Sequence, residues 1–215
     1  MDTAAARAFL TDQIPVRSQV LLPPVFKAAQ QAVAILANDV PFLRVPSAKF
    51  NRGRLISWAV DLGVEQLIKS GSWNVEYRWS TFGAPKPTGS YLEILPSHSR
   101  ITISQIADAS KQPRNVQFRE NARLVNKTFL FEEMREEIEI TGRPSFLLVY
   151  NSNLSFMHFA MPHATRKYGY IYKTSNLLSL PQAVPQPGPP VEDTSFEDTM
   201  TLKEQIAKWL KDNGQ

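Results

Sequence analysis

The chain has 215 residues, of which 43% are hydrophobic and 20% are charged, and these values suit one globular domain with at most an appendage. It contains no cysteine, which excludes disulfide bonds, thiolate metal ligands and a cysteine nucleophile. The first residues lack the basic and apolar regions of a signal peptide, and no uninterrupted apolar run approaches the roughly 20 residues that cross a bilayer. A soluble, cytoplasmic protein with no membrane partner is therefore expected.

The net charge of +4 is unevenly distributed along the chain. Residues 1–43 are neutral overall, residues 44–127 carry thirteen basic and six acidic side chains, and residues 128–215 carry eight basic and eleven acidic ones. A basic middle region beside an acidic end indicates either a surface that binds a polyanion or two regions that neutralise each other in the fold.

Three helices are predicted in the first third of the chain, over residues 3–14, 23–38 and 51–69. The second begins at two prolines, which a helix tolerates in its first turn, and the third has Asn51 as its N-cap and Gly71 just past its end. The apolar residues of the third helix wrap widely around it, so we expect this helix to be largely buried. The predicted buried face of the second helix consists of Val25, Ala29, Ala32, Val33 and Leu36.

The spacing of the apolar residues changes from helical to alternating at Trp73. Between Trp73 and Ser80, aromatic and aliphatic residues alternate with polar ones, as in a half-buried strand. We interpret Trp73, Tyr77 and Trp79 as core residues of this strand; the alternative is that they stack on nucleic-acid bases. Further strands are predicted at 91–95, 100–106, 146–150, 154–161 and 168–173, and further helices at 115–126 and 129–140.

These elements predict an α+β fold in which an N-terminal helical layer packs on a mostly antiparallel sheet of about five or six strands, because short turns join most of the strands. Residues 1–180 are predicted to form this single domain, followed by a Pro-rich acidic linker over 181–199 and an amphipathic helix over 200–215. Such a short helix is marginal in water, so its apolar stripe is predicted to bind the body of the chain, a second copy or a protein partner. The stripe consists of Leu202, Ile206, Trp209 and Leu210.

The start of the third predicted helix is the first candidate site. It places three cations at the end of the helix that already carries the positive half of the macrodipole. Free backbone N–H groups lie there as well, and a glycine lets an anion approach the backbone, so the sequence predicts a phosphate or carboxylate site. The alternative is that a nearby carboxylate neutralises the cations. The candidate residues are Lys49, Asn51, Arg52, Gly53 and Arg54.

A second basic cluster lies in the helix predicted at 115–126 and just beyond it. Arg119, Arg123 and Lys127 follow at i, i+4 and i+8, and like charges with this spacing repel each other. A bound polyanion would relieve the repulsion, and so would pairing with the acidic run 132–137. Arg114 precedes these residues and is included in the candidate nucleic-acid or anion site.

The sequence contains no phosphate-binding Gly-rich loop, no nucleophile elbow and no HExxH motif. Its three histidines are too dispersed to predict a zinc site, and His158 is predicted to be buried. We therefore predict a non-enzymatic binding protein, without a cofactor, whose residues 44–127 contact nucleic acid or another polyanion. One alternative is a metal-dependent nuclease that uses Asp61, Glu76 and Glu93; another is a protein-interaction module that acts through its C-terminal helix.

Overall fold

The structure, a computed structural model, describes residues 3–82, 89–114, 116–128, 142–163 and 169–181. The helix predicted at 129–140, the linker after Pro181 and the predicted C-terminal helix lie outside these residues. The helices of the described part are α1 (Thr3–Gln13), α2 (Val16–Gln19), α3 (Leu22–Asp39), α4 (Pro46–Lys49), α5 (Arg52–Lys69) and α6 (Gln117–Thr128), with short 3-10 turns at Pro41–Arg44 and Leu177–Ser179.

One sheet contains all the strands of the described residues, and its neighbours follow the chain order from the first strand to the sixth. All neighbouring strands are antiparallel except β3 and β4, which are parallel and are separated in sequence by α6. The predicted α+β fold, with its N-terminal helices and mostly antiparallel sheet, is confirmed. The strands are β1 (Glu76–Phe82), β2 (Gly89–Leu95), β3 (Arg100–Gln105), β4 (Ser145–Tyr150), β5 (Met157–Pro162) and β6 (Tyr170–Lys173).

The two faces of the sheet have different partners, because successive residues of a strand point to opposite sides. On one face, Phe146 and Leu148 belong to the hydrophobic core that α1, α3 and α5 complete. The ring of Phe26 on α3 meets the ring of Tyr150 edge-on, with centroids 4.9 Å apart. On the other face, Leu147 of β4 lies beside α6.

The buried face of α3 differs from the predicted one. Leu22, Phe26, Ala29 and Val33 are buried, whereas Ala32 and Leu36 are exposed. The predicted set did not include Phe26, whose large ring packs on the sheet. Relative to the predicted orientation, α3 is therefore rotated about its axis so that Phe26 faces the core. Only Ala29 and Val33 were placed correctly among the fully buried residues.

The prediction that α5 is largely buried is wrong, because only one side of this helix is covered. Ile56, Val60 and Val64 face the core at intervals of four residues, while Trp58 and Leu62 are more than half exposed. The covered side lies against α3 so closely that a Cβ at Gly63 would stand 2.7 Å from Val25 Cγ1. The outer side of α5 therefore presents apolar residues to solvent.

The strand predicted at 73–80 forms, but it starts at Glu76 and lies at the edge of the sheet. Trp73 is buried at 2% exposure and precedes the strand, whereas Trp79 is 47% exposed and its Nε1 donates to Glu65 Oε1 at 3.4 Å. The interpretation of Trp79 as a core residue is therefore wrong. Because β1 pairs only with β2, no strand lies along its outer edge, and side chains such as that of Trp79 remain accessible to water there.

An 18-residue window within Val16–Asp39 has a mean hydropathy of 1.5, so this stretch is long and apolar enough to cross a membrane by length and composition alone. Polar residues, among them Lys27, Gln30 and Gln31, interrupt it, so it contains no long uninterrupted apolar run. In the fold, its residues Leu22, Phe26 and Val33 pack in the core of the domain. Core helices pass the same test of length and composition, so this property by itself does not indicate a membrane span.

Candidate functional site

The chain between α3 and α5 turns twice before α5 begins. A 3-10 turn and α4 each start with a proline in the first turn, where the missing N–H group has no helical partner to lose. These short turns bring Lys49 and Phe50 to the start of α5. The side chain of Phe50 is 91% exposed, which is the highest value among the exposed large hydrophobic residues of the described chain.

The three cations of the first candidate site lie within four residues of Phe50 in the sequence. Lys49, Arg52 and Arg54 are all exposed, and none of them forms an ion pair with a carboxylate of the described residues. The alternative that a nearby carboxylate neutralises them is therefore not observed in this part of the chain. We call Lys49, Phe50, Arg52 and Arg54 the basic–aromatic surface.

Asn51 occupies the N-cap position of α5, as predicted, but its side chain does not cap the helix. Its Nδ2 instead donates to Ser47 O at 3.2 Å, and the backbone amides of Arg54 and Leu55 donate to Asn51 O. The amides before Arg54 in the first turn have no earlier helical acceptor, as is general for helix starts. The end of α5 next to the basic–aromatic surface thus keeps its partial positive charge.

A cleft of about 510 Å³ lies beside this surface, where α3, α5, the end of β3 and the β4–β5 turn meet. Gln30 Nε2 bridges two of these elements by donating to Ser152 O at 2.8 Å. A Cβ at Gly53 would stand 3.1 Å from Gln105 Nε2, so the glycine allows this amide to lie against the helix start. Its lining combines polar side chains with about as much apolar surface and includes Gln30, Lys49, Arg52, Gly53, Ile56, Gln105, Ser152 and Asn153.

A half-buried polar network, which the sequence pattern did not predict, lies beneath the cleft. Ser57 Oγ contacts Gln105 Oε1 and Tyr150 OH, each at 3.2 Å. One helical turn further along α5, burial raises the pKa of Asp61 to about 7 and, on the sheet, burial raises the pKa of Tyr150 to about 12. The serine and the aspartate are four residues apart and so lie on one helix face, which is the only sequence signal for the network.

The second basic cluster does not form one outward-facing row. Arg114 is exposed, but Arg123 is only 8% exposed and its Nη2 pairs with Glu120 Oε1 at 2.8 Å. Arg119 is half-buried, and its Nη1 donates to the backbone oxygen of Arg114 at 3.0 Å. The side chain of Lys127 and the acidic run 132–137 lie outside the described residues. The cluster therefore faces the sheet in part, instead of presenting one face for a polyanion.

The three carboxylates of the nuclease alternative lie apart. Glu93 is 1% exposed and is held by Arg78 Nε at 2.6 Å and Arg100 Nη1 at 3.6 Å, while Glu76 is exposed at the start of β1. Asp61 belongs to α5, which covers the opposite face of the sheet. Among the described residues, no three histidine or carboxylate side chains are grouped as metal ligands would be.

His158 is buried, as predicted. Its ring lies 5.6 Å from the ring of Phe156 and 6.0 Å from that of Tyr170, measured between centroids. Burial, with a smaller contribution from Lys173, lowers the pKa of His158 to about 4. The histidine is therefore neutral in the fold at physiological pH.

Comparison of the chain with models of known protein families, with curated proteins and with solved structures finds no match.

Proposed function

We propose that this protein binds single-stranded nucleic acid at the start of α5, with the cations of the basic–aromatic surface on phosphates and Phe50 on a base. One observation supports this above the others. Phe50 is 91% exposed and stands between cations that have no ion pair among the described residues. Exposure of an apolar ring to water is unfavourable, and neighbouring like charges repel each other, so a nucleic-acid strand that covers the ring and neutralises the charges relieves both costs.

The electrostatic contribution comes from Lys49, Arg52 and Arg54. These side chains lie at the positive end of the α5 dipole, so their charges are repelled by the helix dipole as well as by each other. Phosphates neutralise them and release the counterions condensed on the nucleic acid. Such contacts give affinity without sequence preference, and they weaken steeply as the salt concentration rises.

The preference for a single strand comes from Phe50. Its ring is free to lie against a flat partner, and a base offers its face only where it is not already stacked in a duplex. Stacking of one base on an aromatic ring contributes roughly 1–3 kcal/mol and tolerates any base. The cleft that Lys49 and Arg52 also line offers the side-chain amides of Gln30 and Gln105 as hydrogen-bonding groups for sugars or base edges.

The test is fluorescence anisotropy of the full chain with labelled single-stranded DNA, single-stranded RNA and a DNA duplex over a range of salt concentrations. A variant with Lys49→Gln, Arg52→Gln and Arg54→Gln should weaken binding to every sequence alike. It should also flatten the plot of log affinity against log salt by about 0.7–0.9 units per lost contact. Phe50→Ala should weaken single-strand binding by roughly 1–3 kcal/mol and leave the salt slope unchanged.

Matched controls separate this site from net charge and from general apolar exposure. Arg7, Arg17 and Lys27 are exposed cations of α1, α2 and α3, and their triple Gln variant removes the same charge without altering the basic–aromatic surface. Leu124→Ala removes an exposed apolar side chain from α6. Equal losses in the two triple variants would overturn the proposal. Binding to anionic lipid vesicles with none to any oligonucleotide would also overturn it, in favour of a membrane surface.

A further inference from the structure

The sheet face that is covered by α6 buries several polar side chains beside apolar ones such as Leu147. Apolar residues normally fill such a position, because a polar group loses its water there. Some of these polar groups are paired, as Glu93 is with Arg78 and Arg100. Others are not: Ser104 Oγ and Arg119 Nε are buried and have no hydrogen-bond partner among the described residues. The buried polar side chains of this face include Glu93, Thr102, Ser104, Ser145 and His158.

A cavity lies between this face and α6, on the side of the sheet opposite the basic–aromatic surface. Its inner part holds about 30 Å³, and the whole cleft, including its mouth, encloses about 460 Å³. A single water molecule needs on the order of 10–15 Å³ of such inner space, so the interior has room for a small group of atoms. The polar lining consists of Thr102 and Ser145 from the sheet, Gln112 from the β3–α6 connection, and Arg119 and Arg123 from α6.

The charges around this cavity are not balanced within the described residues. Arg123 pairs with Glu120, but Arg119 has no carboxylate partner there and spends one donor on the backbone oxygen of Arg114. Burial lowers the pKa of Arg119, yet an arginine stays protonated at physiological pH. The half-buried guanidinium of Arg119 lies 5.0 Å from the centroid of the Phe118 ring, but its buried Nε has no hydrogen-bond partner among the described residues. An anion in the cavity would supply the missing negative charge and hydrogen-bond acceptors.

We propose that this cavity is a binding site for a phosphate group, either as inorganic phosphate or as the terminal phosphate of a phosphomonoester. A guanidinium matches the oxygens of a phosphate with two parallel N–H bonds, and the hydroxyl of Thr102 adds a neutral donor from the sheet. The mouth leaves space for the organic part of a phosphomonoester. This site is separate from the basic–aromatic surface, because α5 and α6 cover opposite faces of the sheet.

The test is thermal unfolding of the full chain in inorganic phosphate and in chloride at matched pH and ionic strength. A ligand that binds only the folded state raises Tm, by roughly 5–10 °C when it exceeds its Kd about 100-fold in a chain of this size. Arg119→Gln should remove the phosphate-dependent rise and increase the Kd for phosphate at least tenfold by ³¹P NMR titration.

Arg114→Gln is the matched control, since it removes the same charge from an exposed position outside the cavity lining. Arg114→Gln should keep the phosphate-dependent rise in Tm. The triple Gln variant of the basic–aromatic surface should keep it as well, so a failure of the phosphate site can be distinguished from a failure of the proposed function. A 5′-phosphorylated dinucleotide that competes with inorganic phosphate, where the 5′-hydroxyl form does not, identifies a phosphomonoester as the ligand; binding of inorganic phosphate alone identifies the free ion. No rise in Tm for the wild type, or an equal rise in Arg119→Gln, would overturn the proposal.

Discussion

The side-chain amide of Asn126 on α6 binds both backbone polar groups of Ser145 at the start of β4. Ser145 N donates to Asn126 Oδ1 at 2.7 Å, and Asn126 Nδ2 donates to Ser145 O at 3.1 Å and to Pro162 O at 3.2 Å. The asparagine is fully buried, so one side chain attaches α6 to two neighbouring strands. This attachment places Ala122 and Arg123, one turn earlier, over the cavity beside β4.

Replacing Asn126 with Ala should destabilise the domain by about 2–3 kcal/mol or more. The change leaves an N–H group and two carbonyl groups of the backbone without their partner, and each buried polar group left unpaired costs about 1–3 kcal/mol. Asn121→Ala is the control, because Asn121 is exposed on the same helix, and it should change stability by no more than about 0.5 kcal/mol. Urea denaturation measures both. Equal effects would show that the asparagine does not anchor α6.

Substitution of the two tryptophans near β1 should give clearly different losses of stability. Trp73 is 2% exposed and packs in the core, so Trp73→Ala should cost about 3–5 kcal/mol, as large-to-small core substitutions do. Trp79 is half exposed on an edge strand, so Trp79→Ala should cost well under half as much. Chemical denaturation of the two variants measures the difference. A larger loss of stability for Trp79→Ala than for Trp73→Ala would show that Trp79 is a core residue, as the alternation of apolar and polar residues predicts.

Trp79 illustrates what the sequence does and does not determine. The alternation of apolar and polar residues identified the strand correctly, but it did not distinguish a central strand from an edge strand, since position in the sheet depends on contacts distant in the chain. The ends of α1, α3 and α5 followed from prolines, an N-cap position and a glycine, which act locally. The rotation of α3 toward Phe26 did not follow, because several apolar residues on that helix compete for the core.

The same distinction applies to the candidate sites. The basic residues at the start of α5 lie together in sequence, so inspection found them, whereas the exposure of Phe50 emerges only in the fold. The cavity beside α6 combines residues from β3, β4 and the helix, and no local pattern connects them. Arg119 and Arg123 were identified by their charge alone. Asn126, which joins their helix to β4 and β5, belongs to no recognisable motif.

Gly63 should be difficult to replace, although helices usually gain about 1 kcal/mol when a glycine becomes an alanine. A Cβ at this position would lie 2.7 Å from Val25 Cγ1, and a valine is too short and too stiff to turn away. Gly63→Ala should therefore destabilise the domain by about 1–3 kcal/mol, as overpacking does. In a Val25→Ala background, the same change should be neutral or stabilising. A double-mutant cycle by urea denaturation measures this coupling, and additive effects would argue against a tight α3–α5 contact.

Two groups whose pKa values are shifted in the fold, His158 and Asp61, should give the stability of the protein opposite dependences on pH. Burial lowers the pKa of His158 to about 4, so the unfolded chain takes up a proton between about pH 6.5 and 4 that the folded chain does not. This group therefore reduces stability as the pH falls through that range. Burial raises the pKa of Asp61 to about 7, so the folded chain holds a proton between about pH 7 and 4 that the unfolded chain releases. This group increases stability as the pH falls.

The two contributions offset each other in the wild type, and single variants should separate them. Asp61→Asn leaves only the histidine, so its Tm should fall more steeply than that of the wild type between pH 7 and 4.5. His158→Gln leaves only the aspartate, so its Tm should rise relative to the wild type over the same range. Thermal unfolding at half-unit pH steps measures both differences, which cancel the contribution of all other titratable groups. Parallel profiles for the wild type and either variant would show that the pKa of the replaced group is the same in the folded and unfolded chains.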